Sequence, residues 1–530
     1  MVSAMLTDAR ALADGTTLDA DVCVIGAGPA GIAVALELAG TGIDVLLLES
    51  GGASPERRDR SLAAGENADP RYYRLRRSRV VGFAGASNHW METSGMRSRP
   101  LDDLDFVERP EVGRVGWPFR REHLLPHYQR AQQLCRLGSF SYDLASDDAS
   151  NEPPLPLDPA LAETVMFQIA ALGNFPGRLN EIIAAANVRL LVHATALRLD
   201  TTTAGDRVDT VEVAAGDRNR VSVRPRTVVL AAGGLENPRM LLLSDRTHPG
   251  GLGNAHDHVG RYLMEHPHVR TGTLVPKSPK IVDQLGLYER RESDRVESFG
   301  MVKLPDEVIR SERLLGCAWS FAAKPSALMT PAGRALFGLR DAAVEFRRPI
   351  PHTADRLRTV LRRPREAAGA LAAWRSPARS EPVLLFNAMS EQAPNPASRV
   401  TLGTRKDRFG RPLARVDWQL SKLDLTTIRR SQELVSKAFE EAGLGHAEQL
   451  FGDERPPAVV GGGFHHIGTT RMGDDPSSSV VDPDGRVHGV SNCYVAGMSV
   501  FPTAGYANPT LTVVALAIRL AAHLRTELKG

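Results

Sequence analysis

The sequence predicts an α/β protein of two intimately associated domains. Three observations carry that expectation. The chain has 530 residues, more than the roughly 250–300 at which a single hydrophobic core stops growing. Its N-terminal part holds a strand–glycine turn–helix–strand pattern. Its middle changes texture before the C-terminal end returns to the earlier pattern.

The elements read in order as follows. After a polar leader, DVCVIG (21–26) is a β-branched apolar run closing on glycine, PAGIAVALELAGTG is an alanine-rich helix, and IDVLLLES is a second buried strand. From Asn187, VRLLVHATALRLD reads as strand, VDTVEVAAGDRNRVSV as a hairpin-like pair, and TVVLAAGG as a strand opening into the helical ENPRMLLLS. These are expected to extend the same sheet. Between Leu274 and Gln449, the strand-like PVLLFNAMSEQ and SRVTLG are interleaved with an Arg- and Pro-rich stretch, predicting a second domain with a basic helical insert over about 345–380. That insert reads as a solvated helical face or lid, with a nucleic-acid or lipid patch as the rival reading. The end, NCYVAGMSVFPTAGYANPTLTVVALAIRLAAHL, is a strand, a Gly/Pro loop and an apolar helix.

The formal charge of +3 is too balanced for a dedicated nucleic-acid binder. Cys23, Cys135, Cys317 and Cys493 are widely spaced, without a CxxC pair, which argues against a disulfide framework or thiolate zinc site and for a reducing compartment. No basic start precedes an apolar core at the N-terminus, and no apolar run reaches the roughly 18 residues of a membrane helix. The expectation is a soluble cytoplasmic protein.

Gly26, Gly28 and Gly31 form GxGxxG between a strand and a helix, where the glycines permit a tight turn and let a pyrophosphate approach the helix N-terminus. Glu49, ending the next strand, stands at the distance expected of a ribose hydroxyl acceptor. FAD and NAD share this fingerprint, and a single complete copy is visible. GFHHIGTTRMG (463–473) places two histidines in a glycine-rich stretch whose backbone can approach a planar ligand, and imidazole is a proton carrier near neutral pH. GASNHWMETSG (85–95) places His89 in a glycine-bounded loop without regular period. HDHVGRYLMEHPH tempts a metal reading, yet it lacks HExxH spacing and a cysteine partner, so no metal is expected. No GxSxG surrounds Ser87 or Ser499, which argues against a serine hydrolase.

In their order along the chain, these stretches resemble the glucose-methanol-choline family of flavin-dependent oxidoreductases. DVCVIGAGPAGIAVALELA with LLLES, VVGFAGASNHWM, GWPFRREHLLPHYQRAQ, VGRYLMEHPHV, EQAPNPASRVTL, HHIGTTRMG, VVDPDGRVHGVSNCYVAGMSVFPT and ANPTLT carry the resemblance over nearly the whole length. It implies a Rossmann-like FAD-binding domain assembled from 1–110, 187–273 and 450–530. The remainder, 111–186 and 274–449, would form an α+β substrate domain with a mainly antiparallel sheet.

The resemblance also implies roles. His465 and Asn508 would be the catalytic pair, the imidazole withdrawing a hydroxyl proton while the carbinol hydride passes to flavin N5. Gly26, Gly28, Gly31, Glu49, Gly85, Ser87, Asn88, His89, Ala232, Gly497 and Pro509 would meet FAD. In some members a histidine at the position of His89 is joined to the flavin 8α-methyl carbon, while others with His-Trp there bind FAD noncovalently. The chain departs from the commoner GGSSNHWGG at Phe83-Ala84 and Met91-Glu92, and Glu92 offers a carboxylate to an ammonium group of a substrate. The branch resembled oxidises sugars, including the 6′-alcohol of paromamine-type aminoglycosides, and an aldehyde product could turn over again to the acid. Alternatives are pyranose oxidase-like oxidation of neutral sugars or glycosides, and flavin binding without turnover. The electron acceptor, oxygen or another, and the oligomeric state stay open.

Overall fold

A computed structural model describes residues 5–529 apart from 70–71, 92–94, 145–151, 171–173, 290, 293–296, 342–352, 377–379 and 451–460. Glu92 therefore lies outside the described residues.

Among the described residues, two large sheets organise the chain. The first runs Leu6–Asp8, Val188–Val192, Val45–Leu48, Thr17–Ile25, Asn219–Leu230, Val208–Ala215 and Ala194–Thr201, with Cys493–Val495 also beside Asn219–Leu230. Pairing is parallel across its first five strands and to Cys493–Val495, then antiparallel through the hairpin that follows. Parallel strands are covered on both faces, which is why Val45–Leu48 and Val22–Ile25 are continuous apolar runs. Helices Pro29–Leu38 and Thr510–Lys529 supply much of that cover. Each buried leucine or valine there contributes about 1.5–3 kcal/mol over leaving it in water.

The run VRLLVHATALRLD is two strands rather than one. His193 takes φ 54°, its N–H donates to the Gly51 carbonyl at 2.8 Å and its own carbonyl accepts from Gly216 at 3.0 Å. The chain thereby leaves a parallel neighbour and joins an antiparallel one.

The second sheet runs Gly445–Gln449, Pro267–Pro276, Pro382–Ser390, Cys317–Pro325, Glu297–Lys303, Glu163–Ala170 and Met96–Ser98, with antiparallel pairing throughout. Helix Lys422–Glu441, opened by a reciprocal Ser421/Asp424 cap, buries Val435, Ala438 and Phe439 with Trp319, Phe321 and Phe386. A further cluster on this sheet, with Phe167, Phe299 and Met389, packs against Tyr506 of the C-terminal loop. The sheet is thus built up to the catalytic candidates.

Long-range pairing runs across the expected domain division. Met96–Ser98 and Gly461–Gly462 hydrogen-bond into the second sheet, while helix Leu125–Leu134 packs in the first core, its Tyr128 hydroxyl 2.8 Å from that of Thr512. Strands Arg399–Lys406 and Pro412–Asp417 join Glu66–Asn67 in a separate small sheet. Over and just before the expected basic insert lie helices Pro331–Asp341, Thr353–Arg362 and Pro364–Arg375, while 345–352 and 377–379 of that insert fall outside the described residues. Arg270 of the second sheet lies 4.7 Å from the Phe337 ring centre, holding the insert to its strand. No helix among the described residues is long and apolar enough to cross a membrane.

Candidate active site

The glycine turn is a cradle whose backbone must come close. A Cβ on Gly31 would sit 1.9 Å from the Gly26 carbonyl oxygen, and one on Gly26, whose φ is +107°, would sit 2.7 Å from that of Ala231. Helix Pro29–Leu38 then starts with Gly28 at its cap and proline in its first turn, so free N–H groups point outward. The cavity in front is lined by Gly26, Gly28, Glu49, Gly85, Ser87, Ala232 and Gly497, together with Trp90, Phe464 and His466.

Glu49 is more constrained than a simple ribose acceptor. Its Oε1 accepts from Gly51 and Gly82 N–H at 2.9 Å each, and Oε2 from Ala27 N–H at 3.1 Å. Burial pushes this carboxyl above its ordinary range, against the pull of the three N–H groups. The side chain ties the nucleotide turn to the loop at Gly82. Gly85–Met91, expected as an irregular loop, is a 3₁₀ helix. Ser87 donates to the Ala84 carbonyl at 2.6 Å, and Asn88 Nδ2 donates to those of Phe83 and Gly85 at 2.9 and 2.8 Å. These local bonds closed the turn where hydrophobic periodicity was silent. The His89 ring lies 5.8 Å from that of Phe464, and the Pro509 carbonyl accepts the N–H of Val513 in the C-terminal helix.

His465 is held by groups from the segment just before strand Pro267–Pro276. Its Nδ1 lies 2.9 Å from Nδ1 of His266, whose Nε2 is 3.3 Å from the Ala504 carbonyl oxygen. Glu265 Oε1 accepts the N–H of His465 at 2.9 Å, of Gly463 at 3.1 Å and of His266 at 3.1 Å. Tyr73 donates its hydroxyl to Glu265 Oε2 and lies 3.1 Å from Nε2 of His466. Burial foremost, then the neighbouring imidazoles, holds His465 well below the ordinary histidine range. Burial alone lowers His266 to about 4 against its carbonyl partners, and pushes Glu265 up to about 7 against its four donors. Both imidazoles are therefore neutral near pH 7, and His465 can take a proton. The buried Asn508 Oδ1 has no hydrogen-bond partner, as an amide awaiting a ligand would.

Sequence reasoning missed Tyr73, Glu265 and His266. The signal lay in MEHP, read only within a metal question. The histidines of that run part company, because His258 Nε2 meets the Ser477 carbonyl at 2.7 Å while His266 turns to His465. Elsewhere, Glu56, Asp59 and His193 bring ligand atoms within 4.8 Å of one another. Arg58 and Arg408, 3.8 and 3.3 Å from Asp59, supply positive charge there already.

Comparison with known proteins accords with this geometry. Residues 174–268 and 394–517 match GMC oxidoreductase family descriptions, and residues 19–63 match an FAD binding domain. A 2-methyl-1,2-propanediol dehydrogenase of Mycolicibacterium austroafricanum is 25% identical over 94% of each chain. A paromamine 6′-oxidase of Streptomyces fradiae is 25% identical over 96% of this chain and 92% of its own. In fold, the chain is similar to pyridoxine 4-oxidase from Mesorbium loti, with TM-score 0.58, 17% identity and coverage of 95% of this chain and 99% of that one. The glycine cradle and the unsatisfied amide suit a bound flavin dinucleotide. Because the matched segments build the nucleotide turn, the stretch bearing His266 and the loops bearing His465 and Asn508, the chain belongs to the GMC oxidoreductase family and is an FAD-dependent alcohol oxidoreductase.

Proposed function

We propose that this enzyme oxidises a hydroxyl of a sugar-like substrate to the carbonyl, with His465 as the base and Asn508 orienting the hydroxyl oxygen. One observation carries the reading: His465 is half-buried and neutral, with Nδ1 engaged by His266, so that Nε2 is available to a substrate proton. Bound FAD supplies the two-electron acceptor for the carbinol hydride. The chain's own residues bind and orient the alcohol, exclude water and hold its proton at His465. Gly26, Gly28, Gly31, Glu49, Gly85, Ser87, Asn88, Ala232, Gly497 and Pro509 are proposed to build the FAD site, with His89 beside the ring system. The division into an FAD-binding and a substrate-binding domain is retained in this proposal, with the crossings of Met96–Ser98 and Leu125–Leu134 noted above.

The finer reading is oxidation of the 6′-hydroxyl of an aminoglycoside or amino sugar. Its support is the end-to-end similarity to the paromamine 6′-oxidase. The four cysteines are free and buried, which suits a reducing compartment such as the cytoplasm. The test is the anaerobic visible spectrum of the holoenzyme on addition of paromamine, D-glucose or choline. Bleaching by paromamine alone is the expected result. Bleaching by glucose alone moves the assignment to neutral sugars, and bleaching by choline alone overturns the sugar reading.

A further inference from the structure

We propose that His266 is a positioning residue that fixes the tautomer of His465 and shares the proton taken from the substrate. The inference rests on the reading of His465 as the base.

The argument starts at a carbonyl. The Ala504 oxygen, 3.3 Å from Nε2 of His266, can only accept, so that nitrogen carries the hydrogen. In a neutral ring the lone pair is then on Nδ1 of His266. The nitrogen 2.9 Å away, Nδ1 of His465, must be the donor. Its own lone pair is left on Nε2. One buried carbonyl thus sets the tautomers of two rings in series, as a second hydrogen bond commonly does for a functional histidine. Both rings are held further by Glu265, which accepts their backbone N–H groups.

The same ring joins two catalytic candidates that are 43 residues apart in sequence. One nitrogen of His266 meets His465 and the other meets Ala504, four residues before Asn508 on the C-terminal loop. His266 is fully buried and has little freedom to swing. It therefore sets the position of the base against the loop carrying the amide.

During turnover the substrate O–H bond breaks and an N–H bond forms at Nε2 of His465. The hydride, with its electron pair, leaves the carbinol carbon for FAD, so the alcohol is oxidised and the flavin reduced. The imidazolium then has a hydrogen on Nδ1 facing the Nδ1 lone pair of His266, and the positive charge spreads over both rings. Glu265 Oε1 lies 4.0 Å from Nδ1 of His465 and opposes that charge. Other titratable groups acting on the pair are His268, His466 and Glu391, with Tyr73 acting through Glu265. Bound FAD would supply the acceptor for the hydride, and the proton held at His465 would afterwards pass to solvent.

Two readouts test this. The first is ring ¹⁵N NMR of histidine-labelled holoenzyme, with signals assigned by their loss in His266→Gln and His465→Ala. The expected result is Nδ1–H on His465 and Nε2–H on His266, and the opposite tautomer of His465 overturns the proposal without any substrate. The second is the pH dependence of anaerobic flavin reduction by paromamine and by glucose. His266→Gln can accept from His465 and donate to Ala504 but cannot take a proton. It is expected to keep the tautomer, to slow reduction about 10- to 100-fold at the alkaline plateau, and to move the fall-off to lower pH. His266→Phe is expected to lose the single tautomer as well, with flavin content and circular dichroism reporting its folding. Wild-type rate and pH profile in His266→Gln refute proton sharing. Undiminished reduction in His465→Ala refutes the base reading instead, and the NMR result still decides the tautomer.

Discussion

Tyr506 donates its hydroxyl to Asp102 Oδ2 at 2.8 Å, two residues before Asn508 on the C-terminal loop. Arg99 Nε donates to the same hydroxyl at 3.1 Å, and Lys303 Nζ stands 3.2 Å from Asp102. The loop is thus pinned from the second sheet, through Lys303, and from the segment after Met96–Ser98. Tyr506→Phe removes two hydrogen bonds in a buried charged network. Expected is a loss of about 1–3 kcal/mol of stability by denaturant titration, with flavin reduction slowed because Asn508 loses its register. Unchanged stability would show that Asp102, Arg99 and Lys303 suffice without the phenol.

The two adjacent histidines should separate in function. His465→Ala is expected to slow anaerobic flavin reduction about 10²- to 10⁴-fold, the range contributed by a positioned base. His466→Ala removes only the contact with Tyr73 and a cavity wall, so a loss of less than about tenfold is expected. Stopped-flow traces of both holoenzymes make the comparison, and equal losses would reassign the base.

Glu265 predicts a stability profile with a definite sign. Its folded pKa, about 7, is above its ordinary 4.5 because burial outweighs its donors. A raised acid contributes stability that is present below its unfolded pKa and lost as pH rises through the folded one. Wild-type enzyme should therefore lose stability relative to Glu265→Gln between about pH 4.5 and 7. Thermal midpoints of the two proteins across that window are the measurement; parallel curves would rule this origin out.

The glycine cradle is sterically strict. Gly31→Ala places a methyl 1.9 Å from the Gly26 carbonyl oxygen, so the helix must move away from the strand. Loss of most bound FAD is expected, read as the ratio of flavin to protein absorbance. Retention of full flavin content would show that the helix has room to shift.

The attachment of FAD can be decided by acid precipitation. The His89 ring lies 5.8 Å from that of Phe464, which lines the cavity, and His89 itself is not one of the lining residues, so release of the flavin into the supernatant is expected. Flavin that stays with the polypeptide, and is lost in His89→Ala, would instead establish a covalent bond at that ring.

What the sequence determined by itself was local in origin. The strand over 21–25, the turn at Gly26–Gly31 and helix 29–38 were legible because apolar run, glycine spacing and helix start all lie within one short stretch, although the strand itself begins earlier, at Thr17. The same holds for the helix at Glu236 and for the hairpin-like pair over 208–223, whose second strand runs on through TVVL as one strand, Asn219–Leu230. His465 and Asn508 were singled out by ordered motifs. Only the tertiary structure decided what those residues touch. Nothing in GFHHIGTTRMG names a partner 199 residues away, and MEHP carried no period or spacing that pointed to a loop near residue 504. The split of 188–201 at His193 and the crossing of Met96–Ser98 into the second sheet were equally hidden. The physical reason is shared by these cases. Periodicity reports which face of an element is apolar, whereas hydrogen bonds between remote segments depend on how folded layers meet, and that is settled by packing over the whole chain.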